Sequence, residues 1–173
     1  MKIFMVLWIT AFTLLIEFIC GDMGLSLGLP VFTALYFAVA FAPEYGVAAA
    51  GSAGILLDAA CSRAFPFACI IYLAVTMLTM YIALRSSRHS SLAALGAGAI
   101  CGLLIYIGNL LYTFIGGGEL PGPDLFSMAV FQISGGALFL WLMVLLLDAV
   151  NLICDLPGFI SSGKKRNLQG GQK

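Results

Sequence analysis

Six apolar runs separated by short polar connections dominate this sequence and leave few folds open to it. A hydrocarbon core about 30 Å thick is crossed by about 20 apolar residues of helix. The runs are close to this length and carry little charge, since 62% of the 173 residues are hydrophobic and only 9% are charged. The sequence therefore predicts an all-α polytopic membrane protein, a bundle of six transmembrane helices.

Hydropathy sets the bounds of the predicted spans. The third span is short and rich in Ala and Gly, which predicts either a helix deep in the bundle or a re-entrant element. Pro30 predicts a kink in the second span or its attachment at an interface. The six spans are Ile3 to Cys20, Leu25 to Phe41, Gly46 to Ala60, Phe67 to Leu84, Leu92 to Ile115 and Phe126 to Ile153.

The polar segments are too short to enclose a second hydrophobic core. Residues 1–160 are therefore predicted to form a single transmembrane domain, followed by a short basic tail at residues 161–173. Six spans put both termini on one side together with seven of the eight cations, and they leave Arg63 opposite. The positive-inside rule then places both termini in the cytoplasm. A formal net charge of +0 gives no basic surface for nucleic acid.

The residues that could support catalysis are few. The only histidine, His89, lies in a short basic connection, where anionic lipid headgroups are a sufficient partner. Residues 51–54 resemble the nucleophile motif of intramembrane serine proteases, but no later span supplies a histidine base. The five cysteines show no CxxC spacing, which favours small core residues over a metal site. We expect no enzymatic activity, no catalytic residue and no cofactor.

Several polar residues fall inside the predicted spans, where an ionisable group is costly. In the six-span topology they form an outward-facing layer, which is either a ligand or partner site or a set of snorkelling, hydrogen-bonded side chains. Arg63 could reach back to Asp58 as an ion pair. Asp148 lies near the opposite end and is assigned no role. The members of the layer are Glu17, Asp58, Asn109 and Gln132, together with Arg63 in the outer loop that follows the third span.

Small residues recur every four positions on three spans, a spacing that lets helix backbones approach closely. Packing within the chain is favoured over a homodimer seam. The sets are Gly24 with Gly28, Gly46 with Ala50 and Gly54, and Gly98 with Gly102.

Residues 51–73 (GSAGILLDAACSRAFPFACIIYL) combine a glycine-rich helix, Asp58 at its outer end, a short loop and a new apolar helix. This stretch resembles the central segment of MreD, the rod-shape-determining membrane protein family of bacteria. Chain length, span number and a basic C-terminal end are similar too. Two features depart from the family: Phe65 and Pro66 stand where members often have Leu-Gly, and Asp155 and Pro157 follow the last span where arginines are usual.

The resemblance implies a non-enzymatic scaffold or regulator of cell-wall (peptidoglycan) elongation and rod shape in the bacterial cytoplasmic (inner) membrane. It implies binding to MreC and work with RodA, a class B penicillin-binding protein and the MreB machinery, besides membrane lipids. Asp58 and Arg63 are the matching positions, and they would maintain the fold or contact an outer-side partner.

The alternative is the substrate-binding component of an energy-coupling-factor vitamin transporter, whose six-helix architecture MreD is similar to. Such a component needs a polar pocket near the outer face, which the predicted layer could supply. It would also need a lid, for which residues 116–124 are the only candidate, and small-residue stripes that face an energising partner.

Overall fold

A computed structural model describes residues 2–22, 27–61, 65–85, 91–115, 125–154 and 156–159. In these ranges the chain is helical, with no strand, which confirms the all-α prediction. The helices are α1 (Lys2–Asp22), α2 (Leu29–Ala40), α3 (Pro43–Ala60), α4 (Phe67–Arg85), α5 (Ser91–Ile115) and α6 (Leu125–Ile153).

Three of the helices are long and apolar enough to cross a membrane by length and composition, over Lys2–Cys20, Ala93–Ile115 and Leu125–Ile153. Two shorter apolar stretches accompany them, α2 (Leu29–Ala40) and the part Phe67–Ile82 of α4. Large apolar side chains such as Trp8 and Phe12 are exposed on the outer faces. That surface is suited to lipid, so the protein is a membrane protein with several apolar helices.

α2 is the centre of the bundle. All twelve of its residues are buried, and it contacts each of the other five helices. A helix of this length rises only about 18 Å, which is less than the hydrocarbon thickness. Because α2 is surrounded by protein, its ends do not have to reach the membrane surface. Its largest fully buried side chains are Phe32, Tyr36 and Phe37.

The structure differs from the sequence prediction at two prolines, Pro30 and Pro43. Pro30 does not kink a span, because it lies in the first turn of α2, where the missing N–H of proline has no helical partner to lose. Pro43, which lies between the predicted second and third spans, likewise begins α3. α3 is therefore 18 residues long, longer than the predicted Gly46 to Ala60.

The helices alternate in direction. The Lys2 ammonium lies 5.9 Å from the centroid of the Phe41 ring, so α1 begins where α2 ends. Gly46, near the start of α3, packs on Ala38 near the end of α2. The Tyr106 hydroxyl donates to the Leu125 carbonyl across the end of α5 and the start of α6 (2.8 Å). We call the end where α2 begins the cap end and the opposite one the tail end.

Close backbone approaches occur where the sequence has small residues. α5 and α6 make the most extensive helix pair, and Gly98, Gly102 and Gly136 meet at their crossing. Gly54 of α3 lies against the backbone of Cys69 in α4, and Ala50 is fully buried. A side chain at any of these glycines would strike backbone or core atoms, so all these contacts are made within the chain. Gly24 is outside the described residues.

Candidate functional site

Glu17 caps the buried start of α2. Its carboxylate is 3% exposed and accepts the backbone N–H of Gly28 at Oε1 (3.0 Å) and of Leu29 at Oε2 (3.1 Å). The first N–H groups of a helix have no helical partner and carry a partial positive charge, so an anion stabilises them. Gly28 has φ of 69°, a left-handed conformation that favours glycine. Gly28 thus stands just before α2, where a Cβ would lie 2.5 Å from Ile105 Cδ1 of α5.

Gln132 of α6 reaches the same segment. Its Nε2 donates to the carbonyl of Leu27 (3.4 Å), one residue before the pair that Glu17 binds. Glu17 and Gln132, predicted in one polar layer, therefore meet at the entry to α2, and both are bonded to backbone.

Asp58 caps α4 in the same way. Its carboxylate is 4% exposed and accepts the N–H of Ala68 at Oδ1 and of Cys69 at Oδ2, both at 3.0 Å. The predicted partner Arg63 lies outside the described residues. Since Glu17 and Asp58 are both buried, neither carboxylate faces lipid.

Asn109 is the one predicted layer residue in the described chain whose side chain is exposed. It borders a small cavity of about 40 Å³ among α3, α4 and α5, near the Asp58 cap. That volume suits a few water molecules. The predicted layer is thus divided between the start of α2, with Glu17 and Gln132, and the start of α4, with Asp58 and Asn109. The possible lid at residues 116–124 lies outside the described residues. The cavity is lined by Leu57, Phe67, Ala68, Ile71, Tyr72, Ile105, Asn109 and Tyr112.

A second polar cluster lies at the tail end, and the sequence prediction missed it. The hydroxyl of Tyr36 donates to Asp148 Oδ1 (2.7 Å) and accepts from Asn151 Nδ2 (2.7 Å). Tyr36 and Asn151 are fully buried. We call Tyr36, Asp148 and Asn151 the Tyr36 cluster. Asp148 had been given no role, although an acidic residue and an amide three residues apart on one apolar helix point to one face.

Residues 156–159, which follow α6, fold over the Tyr36 cluster, and we call them the latch. The N–H of Phe159 donates to Asp148 Oδ1 (2.6 Å), and Asn151 Nδ2 donates to the Pro157 carbonyl (3.1 Å). The ring of Phe159 is 1% exposed and stacks on Tyr36 with centroids 6.2 Å apart. These contacts attach the latch to the central helix α2. The basic tail follows the latch in the sequence.

The carboxylates of Glu17, Asp58 and Asp148 accept hydrogen bonds from backbone N–H groups and, at Asp148, from the Tyr36 hydroxyl. Among the described residues no group of three or more His, Cys, Asp and Glu could hold a metal ion. Ser52, in the motif that resembles a protease nucleophile, donates to the Ala49 carbonyl of its own helix (3.1 Å). His89 lies outside the described ranges.

No family model, no curated protein and no solved structure matches this chain.

Proposed function

We propose that this chain is a non-enzymatic membrane scaffold or regulator of bacterial cell-wall elongation and rod shape. In this proposal six helices cross the bacterial inner membrane with both termini in the cytoplasm. The protein binds MreC and works with RodA, a class B penicillin-binding protein and the MreB machinery.

The observation that carries the proposal is the stretch that resembles MreD, residues 51–73. Its helical parts belong to one packed unit, in which Gly54 lies against the backbone of α4 and Asp58 caps the start of that helix. The resemblance includes these two residues, and both have a physical task that other side chains would perform poorly. Asp58 is therefore proposed to act by fixing the α3–α4 corner, which would present an outer-side surface to a partner.

The buried carboxylates of Glu17 and Asp58 bind backbone N–H groups, and this structural role supports a scaffold more than an enzyme. A general acid or base has to reach a reacting group, and a nucleophile needs a base within hydrogen-bond distance. Glu17 and Asp58 instead hold helix starts with both of their oxygens.

The proposal is tested by identifying what the protein binds in its own membranes. A tagged full-length chain is purified in mild detergent, and co-purifying proteins and small molecules are identified by mass spectrometry. We expect MreC or a penicillin-binding protein, enriched over a tagged unrelated membrane protein of the same host. An ATPase module or a bound vitamin would instead establish the transporter alternative, which no feature of the described residues favours.

A matched pair of variants makes the test specific to the resembling segment. Asp58→Ala removes the α4 cap, whereas Ser52→Ala changes an exposed side chain of the same helix. We expect Asp58→Ala to reduce the recovery of MreC severalfold and Ser52→Ala to leave it unchanged. Equal recovery from both variants would show that the α3–α4 corner is not the contact.

A further inference from the structure

The contacts that the Tyr36 cluster makes with the latch could also be made with other peptide segments. The Tyr36 cluster offers the Asp148 carboxylate for a backbone N–H, the Asn151 amide for a carbonyl, and the face of Tyr36 for an aromatic ring. Two of the three contacts are made to the backbone of the occupant. Such a site recognises an extended peptide segment by its main chain and by one aromatic side chain.

The site also keeps an acceptor that the latch leaves unused. Asn151 is fully buried, its Nδ2 lies between Tyr36 and Pro157, and its Oδ1 has no hydrogen-bond partner in the described chain. A buried amide oxygen without a donor is costly, so an occupant that supplied one would gain a hydrogen bond relative to the latch.

The latch is short enough to be displaced. It comprises residues 156–159, of which Leu156 and Pro157 are only half-buried, so it lies at the edge of the bundle. The last backbone hydrogen bonds of the α6 end run from the N–H of Cys154 to the Val150 carbonyl (3.0 Å) and from the N–H of Leu156 to the Asn151 carbonyl (2.8 Å). If residues 157–159 left the site, the contacts of Pro157 and Phe159 would break and the backbone bonds that close α6 would remain.

We propose that the Tyr36 cluster is a docking site for an extended peptide segment bearing an aromatic side chain, and that the latch occupies this site in cis. The partner segment would place its ring on Tyr36, donate one backbone N–H to Asp148 and donate a second hydrogen bond to Asn151 Oδ1. Its binding would release the chain that leads to the basic tail. This inference does not depend on the cell-wall role.

The test uses a fluorescent synthetic peptide with the sequence of residues 155–162 and the full-length protein in lipid nanodiscs. The tethered latch has a high effective concentration, so wild type should bind the peptide weakly. Gly158→Ala opens the site, because a Cβ at residue 158 would lie 2.8 Å from Asp148 Oδ1. We expect this variant to bind the peptide at least tenfold more tightly than wild type by fluorescence polarisation.

Two controls tie the binding to the proposed contacts. A peptide with Ala in place of the phenylalanine should lose the tenfold gain, and so should the double variant Gly158→Ala with Asn151→Ala. A folded Gly158→Ala protein that binds no better than wild type, or that binds both peptides equally, would overturn the proposal. Phe159→Ala is the second opening variant. If neither variant folds, the latch is an inseparable part of the bundle and the proposal fails.

Discussion

At the scale of single residues, three carboxylates share one geometry. Glu17, Asp58 and Asp148 each accept the backbone N–H of the residue eleven positions later, namely Gly28, Cys69 and Phe159. In each case the acid lies near the end of a helix and the amide lies beyond the next connection. Burying a carboxylate is costly unless it is hydrogen-bonded, and these amides supply the bonds. The acids thus fix how the chain turns at the bundle ends.

The first prediction concerns Asp58. We expect Asp58→Ala to lower the free energy of unfolding by about 1–3 kcal/mol, because two backbone N–H groups at the buried start of α4 lose their acceptor. Asp58→Asn keeps one acceptor oxygen and should cost less. Unfolding in mixed detergent micelles measures both. Glu44→Gln is the control, since Glu44 is an exposed acid of the same helix. Equal stability of Asp58→Ala and the control would contradict the capping role.

The second prediction separates two effects at Gly28. Gly28→Ala forces a side chain into a left-handed conformation, at a cost of about 1–2 kcal/mol, and drives its Cβ into Ile105 Cδ1. Ile105→Val removes that Cδ1 atom. We expect the double variant to be more stable than the sum of the two single effects, as measured by thermal unfolding in one detergent. Strict additivity would mean that Ile105 does not limit the space at residue 28.

At the scale of elements, the α5–α6 crossing allows neighbouring glycines to be compared. A Cβ at Gly136 would lie 2.7 Å from the Gly98 carbonyl oxygen and 3.1 Å from the Phe32 ring, whereas a Cβ at Gly135 meets nothing within 4 Å. We predict opposite signs for the two substitutions. Gly136→Ala should destabilise by about 1–3 kcal/mol through overpacking. Gly135→Ala should stabilise by about 0.5–1 kcal/mol, because alanine favours the helix over glycine.

The measurement is the unfolding midpoint of both variants in the same micelle. Gly96→Ala serves as a second open position, because a Cβ there also meets nothing within 4 Å. If Gly136→Ala had the same unfolding midpoint as wild type, α5 and α6 could move apart at this crossing without loss of stability.

Hydropathy alone predicted the helical elements well, because an apolar run long enough to cross a membrane has few structures open to it other than a helix. The bounds of α4, α5 and α6 lie within one residue of the predicted spans. The predicted start of α2 was wrong because the apolar run includes Leu27 and Gly28, and hydropathy does not detect that Glu17 fixes the first turn at Leu29. Such a contact joins residues twelve apart through side-chain geometry, which periodicity does not encode.

The candidate site was predicted less well. The intramembrane acids were singled out as residues that need a reason to be in the spans, and Glu17, Asp58 and Asp148 each accept a backbone N–H of the segment that follows. Asp148 was passed over because Tyr36, its partner on α2, reads in sequence as one more aromatic residue of an apolar run. Only the parallel packing of α2 and α6 brings these two residues together.

At the scale of the whole molecule, the acid and amide side chains that contact α2 and the segment just before it do so at two places, its start and its second half. The Glu17 cap and the Gln132 contact hold its start, and the Tyr36 cluster holds its second half, where the latch covers it. The apolar middle is packed by Phe32 and its neighbours. A helix too short to cross the membrane is thus held in place by side chains from α1 and α6.

The alternating helices and the proposed orientation together predict which cysteines can be reached from outside the cell. Cys61 is exposed at the cap end, Cys154 is half-buried at the tail end, and Cys101 is fully buried. Three single-cysteine variants, each retaining one of these residues, are treated with a membrane-impermeant maleimide. In intact cells we expect only the Cys61 variant to react, because the tail end faces the cytoplasm. Cys154 should react after permeabilisation, and Cys101 only after denaturation.

Each other pattern of labelling has a distinct physical meaning. Reaction of Cys154 but not Cys61 in intact cells would invert the orientation and place the latch outside the cell. Reaction of both would mean that Cys61 and Cys154 lie on the same side of the membrane, which six alternating spans do not allow. Rapid labelling of Cys101 in the folded protein would contradict its position between packed helices. The expected pattern would instead make the latch and the basic tail accessible to cytoplasmic partners, which is the condition for displacement of the latch by such a partner.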